Sequence, residues 1–487
     1  MMTTIKLLKV DDVYLKVIAE PSTIMEMSEY FTFFVKGAQF SPKFKNKIWD
    51  GKLRLLNRIT CQIYLGLLYE IELFCHKRNY DIEIDTRLAA SEFSLKEAEE
   101  FISTLNLPFP VRDYQLKSFV TSVRERRLLL LSPTGSGKSL LTYLLARYYN
   151  VPVLIIVPRI DLVNQLTTDF KDYRYDSDTN VHKIYSGQDK ITDKLITITT
   201  WQSVFNFPKE FFNKYKLIIG DEAHLFSAKA LVSLMTKTTE CPVKIGLTGT
   251  LDESKTNELV LQGLFGRVEK VTTTAELIEQ GYLAELKIKA ILLQYPDTMK
   301  KEVSKMQYKD EYSYIIAIEA RNRFIKNLAL SLKGNTLVVF DRIDKHGKIL
   351  YESILNEIKE KYPNRQVHYI HGGIDAKDRE EVRFHVNDAD NDIICASFGT
   401  YQVGINIPNL HNAIFASPSK GRIRNLQTIG RILRKSSNGE PAQLFDIGDN
   451  LQWKSKHNTT LLHFINRIEL YNEQKFNYKI YNVSLNI

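Results

Sequence analysis

The sequence predicts an α/β protein: two tandem parallel-sheet lobes covered by helices, preceded by a small α+β domain. Three observations carry that expectation. Short apolar runs alternate with amphipathic helices from about residue 109, the same rhythm restarts after Gly281, and residues 1–86 have a different, alternating texture. A parallel sheet is covered on both faces, so its strands read as continuous apolar runs. With 487 residues the chain exceeds one core, and two to four domains are expected.

Residues 1–86 hold the β-rich stretches VYLKVI, FTFFV and CQIYLGLLYEIELF, with one helix expected near Ile24–Phe34. Residues 87–108 form a connector, where Ser94 and Glu97 have the spacing of a capping box and Pro108 ends the helix. The first lobe, 109–281, has apolar runs at 128–132, 151–158, 195–200, 216–222 and 243–250. The second, 282–450, has them at 336–342, 366–372, 392–397, 412–418 and 442–448. Residues 451–487 read as an amphipathic helix followed by an aromatic-rich strand.

Composition narrows the class. Hydrophobic content of 44% and charged content of 25% are those of a folded protein. A net charge of +9 suits a polyanionic partner. Cys61, Cys75, Cys241 and Cys395 lie far apart, without a CxxC pair or a histidine cluster at zinc spacing, and read as buried thiols of a reducing compartment. The N-terminus lacks the pattern of a secretory signal, and no run approaches the ~20 apolar residues of a membrane span. A cytoplasmic protein without membrane contact is expected.

SPTGSGKS, Ser132–Ser139, follows an apolar run and precedes a helix, the context a phosphate-binding loop requires. Gly135 and Gly137, flanked by Thr134 and Ser136, let successive backbone N–H groups face the phosphates, aided by the helix N-terminus. Lys138 is placed to reach the β- and γ-phosphates of ATP, and Ser139 to ligate Mg²⁺. DEAH, Asp221–His224, follows the apolar run KLIIG. There Asp221 would hold the metal, and Glu222 would orient or deprotonate the attacking water. These elements alone describe an ATPase.

Further motifs follow in order across residues 109–449, and the series resembles that of superfamily-2 helicases. FPVRDYQ resembles their adenine-recognition segment, which implies base contacts by Arg112 and Gln115, with Phe109 alongside. VPRIDLVNQ and TITTWQSV resemble the motifs that touch the nucleic-acid backbone, implicating Arg159, Gln165, Thr200 and Gln202. GLTGTL resembles the coupling motif, with Thr248 and Thr250 bonding the DEAH segment and Gly249 standing where alanine is usual. ASFGTYQVGINIPNL places Thr400, Gly404 and Asn406 in register with a nucleic-acid- and nucleotide-contacting motif. NLQTIGRILR resembles the arginine-finger motif. Arg434 is then the finger, Arg431 a second γ-phosphate contact, and Gln427 a bridge toward His224. A planar, permanently charged guanidinium suits phosphate oxygens as charge builds.

The resemblance implies two RecA-like lobes that close on ATP, with Lys138 and Asp221 on one side and Arg431 and Arg434 on the other. Residues 36–58 add seven basic residues against one acid, Asp50, with aromatics interleaved. This is the composition of a nucleic-acid surface, with Lys43, Lys45, Lys47, Trp49, Lys52 and Arg54 as its expected contacts and Asp50-Gly51 as its turn. The segment 264–288 and the form QTIGRILR resemble repair translocases and restriction motors rather than RNA-directed relatives. Over its whole length the chain is similar to the UvsW helicases of T4-like bacteriophages. That implies a DNA-dependent ATPase acting on branched or partly single-stranded DNA and on RNA–DNA hybrids in R-loops, within a bacterial host. An RNA helicase, or a binding and annealing protein switched by ATP, are the alternatives from the residues alone.

Overall fold

The computed structural model describes residues 4–35, 37–185, 189–226, 228–251, 255–404, 409–418, 421, 425, 428–430 and 441–486. Contacts divide the chain into two compact units, Met1–Thr272 and Thr273–Ile487.

In the first unit, alternation sets the opening strand. In β1 (Thr4–Lys9) Ile5 and Leu7 are buried while Thr4 and Lys6 face out. It pairs antiparallel with β2 (Tyr14–Ile18). The helix expected over 24–34 instead runs Pro21–Tyr30, because Pro21 pre-sets its first turn. The sequence TFF then leaves the helix for β3 (Thr32–Phe34), which pairs antiparallel with β4 (Lys52–Arg54). β5 (Gln62–Tyr64) and β6 (Asp81–Ile84) complete a mixed sheet ordered β5-β2-β1-β6. The capping box of Ser94 and Glu97 forms and starts the helix Leu95–Ser103.

Seven strands then build a wholly parallel sheet: β7 (Arg127–Leu131), β8 (Val153–Val157), β9 (Val181–Ile184), β10 (Ile196–Thr200), β11 (Leu217–Gly220), β12 (Val243–Thr248) and β13 (Val268–Lys270). Their order is β13-β7-β12-β11-β8-β10-β9. β8, β10, β11 and β12 are buried at every residue, as a doubly covered sheet demands. The small domain is welded to this sheet. The Asp12 N–H donates to Thr239 O at 3.0 Å. In return, the Asp12 carbonyl accepts Lys244 Nζ at 2.7 Å and also the Arg127 guanidinium. A Cβ on Gly66 would lie 2.2 Å from the carbonyl oxygen of Gln262, so only glycine permits that approach to the helix Lys255–Phe265.

The second unit is a second seven-stranded parallel sheet. Its strands are β14 (Leu286–Gln294), β15 (Thr336–Phe340), β16 (Val367–Ile370), β17 (Ile393–Ser397), β18 (Asn412–Phe415), β19 (Ala442–Asn450) and β20 (Asn477–Ser484), ordered β16-β17-β15-β18-β19-β14-β20. The helix Thr459–Glu473 and β20 occupy the segment 451–487, and β20 lies parallel to β14 over eight residues. Two buried ion pairs brace the unit, Arg321–Asp449 and Arg467–Asp446, each at 2.8 Å. Tyr295 and Tyr471 hydroxyls also donate to those carboxylates, so each buried charge is both paired and hydrogen-bonded. Both units have the sheet order and helix cover of RecA-like lobes. Among the described residues no helix is long and apolar enough to cross a membrane.

Candidate nucleotide site

Three adjacent strands deliver the chemistry. The loop after β7 carries 132–137, β11 leads into Asp221–His224, and β12 into Gly249 and Thr250; β7, β12 and β11 are neighbours in that order. Ligands of open parallel sheets gather at these carboxyl ends. Ser132 N–H donates to Thr248 O at 2.8 Å, tying the first loop to the third.

Gly135 and Gly137 sit at φ +85° and +82°, left-handed conformations that curl the loop into the helix Lys138–Tyr149. The Ser136 hydroxyl donates to Pro133 O at 2.7 Å, closing the turn that Thr134 sits in. From below, the Gln115 side chain, almost fully buried, donates through Nε2 to Ser136 O at 2.8 Å and accepts the Arg112 N–H at 3.0 Å. Arg112 reaches Gly135 O at 3.3 Å and the Tyr114 hydroxyl at 2.7 Å. The structure therefore brings Arg112 and Gln115 to the phosphate loop, with both ends of the Gln115 amide engaged by the protein. A Cβ on Gly137 would meet Gln115 Nε2 at 2.3 Å, so brace and loop fit only with glycine there.

Lys138 pairs with Glu222, the two side chains 15% and 19% exposed. Burial pushes the Glu222 carboxyl up, but Lys138 and His224 outweigh it and hold it below its ordinary range. Asp221 differs: burial drives its carboxyl up to about 6, opposed by Lys138 and reinforced by Glu222. The neighbours therefore have distinct characters, Glu222 an anion against a cation and Asp221 a desolvated acid. Glu222 itself sits at φ +49°. His224 Nδ1 lies 2.6 Å from Thr248 Oγ1 and 3.5 Å from Glu222 Oε2, and the Thr248 hydroxyl meets Thr250 O at 2.7 Å. A continuous polar path thus joins Lys138, Glu222, His224, Thr248 and the backbone of Thr250. A Cβ on Gly249 would meet Lys138 Nζ no closer than 3.7 Å, so the alanine usual in this motif has room.

One contact was not legible in any motif. The hydroxyls of Ser139 and Tyr173 lie 2.7 Å apart, and the Phe109 ring meets Tyr173 edge-on at 5.7 Å between centroids. Tyr173 is 34 residues from Ser139 and follows a helix, and no spacing announces it.

Of the expected nucleic-acid contacts in the first unit, Arg159 directly precedes the helix Ile160–Asp172 and pairs with Asp161 at 3.0 Å. Gln202 Nε2 donates to Pro158 O at 3.3 Å, joining the two motifs. Thr200 is buried, its hydroxyl 2.8 Å from Ser203 Oγ. In the small domain Lys43, Lys45, Lys47 and Lys52 are exposed on and around the segment joining β3 to β4. Trp49 Nε1 donates to Lys52 O at 2.9 Å, and Asp50 pairs with Arg54, whose guanidinium holds the Asp50 carboxyl down at about 2. Phe34 and Phe44 pack edge-to-face beneath Gly51, while Phe40 is 72% exposed.

In the second unit Thr400 is buried in the helix Phe398–Gly404, its hydroxyl 2.9 Å from Ser397 Oγ, and Gly404 is the last residue of that helix. Asn406, Gln427, Arg431 and Arg434 lie outside the described residues.

Three family models match the chain: "DNA helicase UvsW, N-terminal" over residues 4–85, "Type III restriction enzyme, res subunit" over 95–253, and "Helicase conserved C-terminal domain" over 319–436. Among curated proteins, the chain is 34% identical to the ATP-dependent DNA helicase uvsW of Enterobacteria phage T4, over 97% of this chain and 98% of that protein. It is 26% identical to the DNA 3'-5' translocase XPB2 of Sulfurisphaera tokodaii, over 72% of this chain and 86% of the other. Among solved structures, that of T4 UvsW matches at 32% identity with a TM-score of 0.52, covering 99% of both chains. The parallel sheets, the phosphate loop beside its acidic neighbour and the matched N-terminal domain agree: the chain belongs to the UvsW family of superfamily-2 DNA helicases.

Proposed function

We propose that this protein is an ATP-dependent DNA helicase and translocase that remodels branched DNA, by junction migration, fork regression and R-loop unwinding, in the cytoplasm of a bacterial host. The observation that carries it is the polar path from Lys138 through Glu222 and His224 to Thr248, within a chain of this family. It couples the group that grips phosphate to the motif that follows β12.

In this reading Lys138 leaves Glu222 for the β- and γ-phosphates of bound ATP, while Ser136, Gly137 and their neighbours offer backbone N–H groups. Glu222, freed from its lysine, orients and deprotonates the attacking water. His224 senses that change and passes it to Thr248 and Thr250. Gln115 and Arg112 hold the loop and turn toward the adenine. The Ser139 hydroxyl and the Asp221 carboxylate are hard oxygen donors of the kind Mg²⁺ takes, and Tyr173 holds the Ser139 hydroxyl ready on that side. Mg²⁺ there would neutralise charge developing on the phosphates. Gly404 and Asn406 extend the nucleotide contacts, Gln427 joins the coupling group, and Arg431 and Arg434 supply the finger. Arg159, Gln202, Thr200 and Thr400 place the DNA backbone; the buried hydroxyls of the two threonines act by shaping their loops. The loop carrying Lys43, Lys45, Lys47, Trp49, Lys52 and Arg54 supplies a second grip.

The test is the rate of ATP hydrolysis with single-stranded DNA, duplex, fork, four-way junction and RNA supplied in turn. Forks and junctions should stimulate most. Equal or greater stimulation by RNA would overturn the DNA assignment, and stimulation by none of them would leave only an ATP-switched binding protein.

A further inference from the structure

At the edge of the second sheet, at the opposite end of its strands from Ser397 and Thr400, three potential metal ligands converge. His368 is the second residue of β16, Asp392 directly precedes β17, and His385 lies near the end of the helix Ala376–Asp388. His368 Nε2 is 2.9 Å and His385 Nε2 3.4 Å from the same oxygen, Asp392 Oδ2. The three ligand atoms all lie within 4.8 Å of one another. In a tetrahedral site with bonds of about 2.0–2.1 Å, ligand atoms stand ~3.3 Å apart, so two of the three edges are already close to that length.

The carboxylate is prearranged. Its other oxygen, Oδ1, accepts the Gln366 N–H at 3.1 Å, and the Asp392 N–H donates to Asn335 Oδ1 at 2.8 Å. This fixes Oδ2 toward the imidazoles. The Asp392 side chain is 6% exposed and that of His385 is 48% exposed, so the site has a buried floor and an open mouth. Two imidazole nitrogens and a carboxylate oxygen, brought together from three separate elements, offer a divalent cation three ligand atoms of suitable kind and spacing.

We propose that His368, His385 and Asp392 bind a first-row divalent transition metal of the zinc type, which clips the helix Ala376–Asp388 to the sheet edge. Two imidazoles and one carboxylate favour such ions over Mg²⁺, which takes oxygen ligands and keeps its waters. With three protein ligands, one position stays open for water. The site is at the amino ends of its strands. Five residue steps along β17, ~16 Å at about 3.3 Å each, lead from Asp392 to Ser397 and the motif beyond. Its role is therefore to set the position and stability of the helix rather than to take part in hydrolysis.

The experiment uses the full chain, stripped with a chelator and titrated with Co²⁺ in excess Mg²⁺, so that oxygen-only sites are occupied. One equivalent should bind and give the intense visible absorption of tetrahedral cobalt, with Zn²⁺ displacing it. His385→Ala removes the exposed ligand without emptying the core. It should weaken Co²⁺ by more than ~100-fold, beyond the range seen for loss of an outer partner, while basal ATP hydrolysis is unchanged. Asp392→Asn should do the same if it folds. No stoichiometric cobalt, or a spectrum that His385→Ala leaves intact, would overturn the proposal.

Discussion

Removing Lys138, the lysine proposed to grip phosphate, should do two separable things. In Lys138→Ala, hydrolysis is lost because residues 132–137 carry no other positive side chain to offset the charge of the β- and γ-phosphates. The ligand-free protein should also become less stable, because Glu222 is left inside with its principal countercharge gone. Breaking a fully buried pair costs about 3–5 kcal/mol. The partners here are 15% and 19% exposed, and solvent screening reduces that to about 2 kcal/mol. Glu222→Gln should cost a similar amount, since it strands the ammonium instead. The double variant should therefore lie well above the sum of the singles, with a coupling of about 1–2 kcal/mol. Urea unfolding of the four proteins without nucleotide measures it, following a probe within the first unit because two units need not unfold together. Additivity within ~0.5 kcal/mol would refute the reasoning and show that the pair contributes nothing beyond proximity.

Two further outcomes test other parts of the molecule. Gly66→Ala places a methyl against the carbonyls of Gln262 and Gly263, backbone atoms that cannot swing aside, and should cost ~2–3 kcal/mol and open the small domain to limited proteolysis; an unchanged cleavage pattern would mean that domain is not anchored there. Replacing Lys43, Lys45 and Lys47 together by alanine should lower the slope of log affinity against log salt by about 2–3 if each meets a DNA phosphate, and leave it unchanged if they are only solvated.

The site was legible where residue identity itself performs the chemistry. Gly135, Gly137, Lys138, Asp221 and Glu222 stand in patterns with few other physical uses, and the apolar runs before them gave their strands. The family resemblance implies that Thr248 and Thr250 both bond the DEAH segment; Thr248 Oγ1 lies 2.6 Å from His224 Nδ1, whereas Thr250 joins only through its carbonyl, which accepts the Thr248 hydroxyl, and its own hydroxyl has no partner among the described residues. Other features left no trace because they depend on main chain or on distance. The Asp12 carbonyl would serve equally with another residue in its place. Tyr173 is an unremarkable aromatic until folding brings it to Ser139. β14 eluded the apolar pattern because Lys287 and Lys289 interrupt it, the first exposed and the second half-buried with its ammonium donating to Gln443 Oε1 on β19. His368, His385 and Asp392 match no short metal motif because three separate elements supply them. The helix at 21–30 was placed three residues late, since an apolar pattern continues into TFF while the backbone has already become a strand.

The Asp12 carbonyl, holding Lys244 on β12 and the arginine that opens β7, has a mechanical consequence. Burial lowers the Lys244 ammonium well below its usual range, so that tether is kept by geometry inside the fold rather than by charge at its surface. β7 ends in the phosphate loop, five residues on from Arg127. The small domain is consequently an outrigger bolted to the same beam that ends at the nucleotide. A displacement of β7 or β12 would therefore pass to the small domain directly through these contacts, and not only through the connector between them.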